Sequence, residues 1–245
     1  MLVHLRHDWR RFLVGGLLPG QWALVMVFSA VWGTVLATAS TRYRTQGIES
    51  LWRSAPYGEV MGFIVPLFLV INCGIRFGSD YKQGTLKYEL LTGTDRALIL
   101  SSRCVFLAAS AGIAYFAAAL GYGLVPILTG RALEVRVEAV GEFLASTGVV
   151  WAGSVPLLAL LVLGGVSWRS MEVEVVLGVL LLVCFAVVNS VTDDAWWALP
   201  TAFMLRPLAA FTGLQAGVAA GMALAVSFLA AVIAFRTWER KDFLR

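Results

Sequence analysis

The chain has 245 residues, of which 59% are hydrophobic and 14% charged, with a mean hydropathy of +0.81 and a formal charge of +4. Soluble domains carry about 25% charged residues, so this composition excludes an ordinary water-soluble fold. No basic stripe is present, which excludes nucleic acid as a partner.

The charges lie between uncharged runs that cover residues 12–41, 60–75, 104–130, 143–168, 175–192 and 207–235. A hydrocarbon core of ~30 Å needs ~20 helical residues, so the runs predict an all-α integral membrane protein with six transmembrane helices. The runs are continuous and do not alternate, which argues against a β-barrel. The whole of 1–245 reads as one transmembrane domain.

Residues 1–14 predict a short amphipathic helix for the inner membrane surface, with Leu2, Leu5, Trp9, Phe12 and Leu13 near one face. The first span is expected at about 21–40 and the second at about 60–77, with Arg76 snorkelling outward. A strongly polar interval at 79–95 follows, and Thr94-Asp95 offers an N-cap for a third helix that runs to about Leu128. The fourth and fifth spans are expected at about 143–166 and 173–191. Residues 192–210 carry Trp196, Trp197 and Arg206 and read as an outer interfacial or re-entrant stretch. The last span, about 211–235, holds Gly213, Gly217, Gly221 and Ala225 at intervals of four. Such a ladder lets two helix backbones approach closely, either within the chain or between two copies.

Orientation follows from Lys and Arg. With the N-terminus inside, the inner segments hold thirteen of them and the outer segments six, which puts both termini in the cytoplasm and the chain in the inner (plasma) membrane as a multi-pass protein. The interval 79–95 is then cytoplasmic.

Chemistry is sparse. No Gly-Lys dipeptide occurs, so no phosphate-binding loop is present. The histidines, His4 and His7, precede the first span, and no carboxylate interrupts the middle of a span; Glu172 and Glu174 read as interfacial. Cys73, Cys104 and Cys184 show no metal spacing. The expectation is a chain that is not an enzyme and holds neither metal nor cofactor. Asn72, Asn189 and Ser190 are candidates for a polar spot in a translocation path, with packing across helices the competing reading.

Asp80, Gly84-Thr85, Leu90-Leu91, Arg96 and Arg103, set between the second and third of six spans, resemble the pattern of the membrane subunit of bacterial type-2 ABC exporters. The chain departs from that pattern in having Gly93-Thr94 where Pro is frequent, Arg103 where Lys is commoner, and the leucine pair one place late. The resemblance implies a permease that pairs with a second copy or paralogue and recruits a separate ATPase, which binds the ATP and Mg. It makes 79–95 the coupling segment, with Asp80, Tyr81, Gly84, Thr85, Leu86, Lys87, Leu90, Leu91, Arg96 and Arg103 as coupling residues. Asp80, Lys87 and Arg96 are then expected to pair with charges on the ATPase. The implied function is export of an amphipathic or hydrophobic substrate: a drug, an antimicrobial peptide or a lipid. Self-immunity to a peptide antibiotic and a non-transporting membrane scaffold are the alternatives.

Overall fold

In a computed structural model, residue 10 and residues 17–39, 60–82, 84–91, 93, 95–128, 137–168, 170–191, 201 and 212–240 are described. Their regular structure is helical throughout, and no strand occurs among them. Five helical stretches are long and apolar enough to cross a membrane: Val60–Lys82, Arg96–Gly123, Gly141–Ser167, Met171–Val188 and Gly213–Arg240. The chain is thus compatible with a multi-pass membrane protein. A further helix of 23 uncharged residues, α1 (Leu17–Ala39), stands where the first span is expected. The amphipathic helix expected at 1–14 and, but for Thr201, the stretch 192–210 lie outside the described residues.

The second span opens on a π turn, Val60–Ile64, and continues as α2 (Val65–Lys82). Pro66 lacks the N–H that the Gly62 carbonyl would accept in an α-helix, and the wider turn lies where that bond is missing. The polar interval that follows divides. Asp80, Tyr81 and Lys82 complete α2, and a separate helix of seven residues, α3 (Thr85–Leu91), follows. Gly84 (φ +65°) and Gly93 (φ +77°) bound α3, in a left-handed conformation that costs glycine little.

Helix α4 (Arg96–Gly123) begins where the capping residues place it, with the Ala97 N–H donating to Asp95 Oδ1 at 3.2 Å. It stops at Leu124, two residues before Pro126, so the expected run to Leu128 is split, and α5 (Val125–Leu128) is a separate turn. The fourth span is also two helices, α6 (Val137–Gly153) and α7 (Val155–Ser167). Pro156 supplies no N–H to the Ala152 carbonyl, and the Ser154 hydroxyl donates to the Trp151 carbonyl at 2.6 Å. Next, α8 (Met171–Val191) carries Glu172 and Glu174 in its first turn, where the helix dipole favours them. A reciprocal cap starts α9 (Gly213–Arg240): the Thr212 N–H donates to Gln215 Oε1 at 2.9 Å, and the Gln215 N–H to Thr212 Oγ1 at 3.5 Å.

Close approach marks the packing, as it does for helices that associate in lipid. Helix α1 lies on α4, and a Cβ on Gly121 would collide with the Met26 carbonyl. Helix α8 lies on α2, where a Cβ on Gly78 would come within 2.5 Å of Met171 Cα. Helix α7 packs against α9, and the Trp151 indole N–H of α6 donates to the Ala108 carbonyl of α4 at 3.1 Å. Helices α8 and α9 leave most of their apolar surface uncovered.

Candidate functional site

Where α2, α3 and α4 meet, the fold buries charge. Arg76 and Asp80 are four residues apart and so lie on one face of α2, with Arg76 Nη1 3.2 Å from Asp80 Oδ2. The chain reverses through α3, and α4 carries Arg103 back to the level of Asp80. Arg103 Nη2 lies 2.9 Å from Asp80 Oδ2 and donates at 3.0 Å to Glu89 Oε2 of α3. One guanidinium nitrogen thus ties α2 and α3 to α4. The side chains of Asp80 and Arg103 are 2% and 0% exposed, and that of Glu89 is 20% exposed.

Aromatic rings enclose the cluster. The Arg76 guanidinium lies 6.0 Å from the centroid of Phe106, and that of Arg103 lies 5.9 Å from Phe77 and 5.8 Å from Trp238. Phe77 and Trp238 meet edge to face at 6.5 Å. Such ring faces attract desolvated cations by about 2 kcal/mol each. A second tie runs to α9. The Trp238 indole N–H donates to the Arg96 carbonyl at 2.8 Å, and Arg96 Nη1 donates to the Glu239 carbonyl at 2.9 Å. The start of α4 and the last turn of α9 clasp each other.

Two expectations are corrected here. Asp80, expected with Lys87 and Arg96 to offer its charge to an ATPase, is buried in the bundle with its carboxylate against Arg76 and Arg103. Arg76 does not snorkel outward but is buried beside Asp80. In both cases the charge lies against an opposite charge inside the bundle. Arg96 likewise reaches α9. Glu172 is exposed and pairs with Lys82. Glu174, by contrast, is buried: two residues on from Glu172 it lies on the opposite face of the same first turn, against Gly165 and the Cys73 thiol.

The outward side of α3 is different in character. Tyr88 and Leu91 are 71% and 63% exposed and Lys87 is exposed, whereas Leu90 and Tyr81 pack on the core. Thr85 is half-buried, and Leu86 belongs to the same helix. A face of α3 bearing a cation, an aromatic ring and a branched aliphatic residue therefore projects from the bundle.

The other candidates lie apart. Asn72 is buried within α2 and does not line the apolar groove of about 400 Å3 that runs along α4 from Ala109 to Leu120 beside Trp151. Asn189 and Ser190 fall in the last turn of α8, and their side chains lie outside the description. Gly213, Gly217 and Gly221 face open space, so the ladder of α9 has no partner among the described residues of this chain. Among the described residues no group of three His, Cys, Asp or Glu could hold a metal ion.

Sequence reasoning missed Arg76, Glu89, Phe77 and Trp238 as members of this cluster. The four-residue spacing of Arg76 and Asp80 was the available signal; the pairing with Glu89 and Trp238 is tertiary. No protein-family model and no curated protein matches the chain.

Proposed function

We propose that the chain is the permease subunit of an ATP-binding-cassette exporter, crossing the inner membrane six times with both termini in the cytoplasm. In this reading α1 joins the five apolar stretches as a sixth span, and a separate ATPase supplies ATP hydrolysis with its bound Mg. The cargo is amphipathic or hydrophobic, and a second copy or paralogue completes the pathway. The observation that carries the proposal is α3. It is a short helix held between two spans, with its ionic side turned into the bundle and Lys87, Tyr88 and Leu91 turned out. A soluble motor could grip the outward side and pass displacement to α2 and α4 through the Arg103 bridge. Tyr88 and Leu91 serve as contact anchors, while Asp80, Glu89 and Arg103 transmit force.

Co-expression with a candidate ABC ATPase tests this reading. Tyr88→Ala with Leu91→Ala removes two exposed side chains, which changes fold stability by no more than about 0.5 kcal/mol each. It should weaken capture of the ATPase at least about tenfold, as loss of an anchor worth 1.4 kcal/mol or more requires. Undiminished capture by the folded variant refutes α3 as the docking helix. Full activity with no ATPase present supports a scaffold instead.

A further inference from the structure

We infer that α3 is a hinged lever and that Glu89 is the releasable pin setting its rest position. The inference takes the docking role of α3 as its setting and adds how that helix is held.

Three observations converge. First, the two positive-φ glycines of the described chain, Gly84 and Gly93, stand one at each end of α3, and a Cβ on either would meet nothing within 4 Å. These are open turns, and glycine can change φ and ψ there without collision. Second, α3 is held to the bundle by the Glu89 carboxylate on Arg103 and by Leu90 packed on the core. Third, the two carboxylates on Arg103 Nη2 differ in their surroundings. Asp80 is sealed at 2% side-chain exposure, and Glu89 stands at the rim at 20%.

The consequence is an unequal pair of bonds on one cation. If α3 swings outward, Glu89 can be rehydrated as it leaves, while Arg103 keeps Asp80 as counterion. The Asp80 bond cannot break so cheaply, because both partners would remain in the apolar interior. Among the four paired side chains the charge sums to zero when Glu89 is seated. With Glu89 withdrawn, the other three carry one net positive charge, which draws the pin back. The lever therefore returns by itself to one position.

Hydrogen–deuterium exchange of the purified full chain in lipid nanodiscs, with no ATPase present, tests the pin separately from the docking role. Glu89→Gln should speed amide exchange within 84–93 by about tenfold to a hundredfold, with the spans 60–82 and 96–123 unchanged, as a local opening requires. Unchanged exchange at 84–93 overturns the inference. So does acceleration that spreads equally into both spans, which would make Glu89 a general stabiliser of the bundle. Leu90→Ala is the control for the apolar attachment. If it loosens 84–93 as much as Glu89→Gln does, the pin is not ionic. Should Glu89→Gln fail to accumulate, the charge-keeping Glu89→Asp answers the same question, with a smaller acceleration expected in the same segment and no acceleration counting against the pin.

Discussion

Replacing Asp80 by leucine removes the anion that lies 3.2 Å from Arg76 and 2.9 Å from Arg103. Two buried arginines then lose the carboxylate they share, while Glu89 stays on Arg103. Breaking a buried pair by deleting one partner costs about 3–5 kcal/mol, because the remaining charge stays desolvated. Against a total stability of about 5–15 kcal/mol, that lowers the folded-to-unfolded ratio by about a hundredfold to a few thousandfold. Arg76→Met alone should cost less, because Asp80 keeps Arg103. The informative variant combines the two. Asp80→Leu with Arg76→Met removes one charge of each sign and leaves the Arg103–Glu89 pair neutral. Its losses are the contact of Arg76 with Phe106, about 2 kcal/mol when desolvated, and the Asp80 arm of Arg103. Its gain is the relief of burying two ions, which can reach about 1–4 kcal/mol. The double variant should therefore lie within about 2 kcal/mol of the parent and be more stable than Asp80→Leu alone. Reversible unfolding by sodium dodecyl sulfate in mixed micelles, followed by far-ultraviolet circular dichroism, measures all three. If the double variant loses the sum of the two single losses, the cluster is not a mutually compensated unit and the reasoning fails.

Gly121→Ala puts a methyl group against the Met26 carbonyl and should destabilise the bundle by about 1–3 kcal/mol in the same unfolding assay. Gly217→Ala meets open space and should raise the stability of a single chain by up to about 1 kcal/mol through helix propensity. If the ladder of α9 seats another helix, the same change should instead lower the dimer fraction in lipid, which single-molecule photobleaching reads directly. Trp238→Phe keeps a ring against Phe77 but withdraws the donor from the Arg96 carbonyl, at a cost of about 1–3 kcal/mol. Faster amide exchange at the start of α4 locates that loss, and unchanged exchange there counts against the clasp.

The helices were legible because their cause is local. The uncharged runs and the Asp95 cap are written in consecutive residues, and each expected span overlaps an observed helix. The breaks at Leu124 and Ser154 were equally local, since Pro126 and Pro156 announce them, yet continuous hydropathy masked both. The fate of the charges was not legible. A pattern of charged and uncharged residues assigns every Arg and Asp to water, whereas Arg76, Asp80 and Arg103 are inside, set against one another as ion pairs. That outcome depends on the reversal through α3, which brings residues from two spans to one level. The exposed glycines of α9 make the same point in the opposite sense. A spacing of four states that close packing is possible on that face, but it does not name the helix that will come there.

The clasp between Arg96 and Trp238 has a bearing on how the protein is made. The two residues are 142 positions apart, which at about 5–20 residues per second separates their emergence from the ribosome by roughly 7 to 28 s. Throughout that interval the nascent protein must shelter Arg103 and Phe77 without the indole that finally roofs them. Early spans therefore enter the bilayer with an unfinished polar corner, and an insertase that shields such corners would raise the yield of this protein more than that of one whose contacts are all between neighbours in the chain.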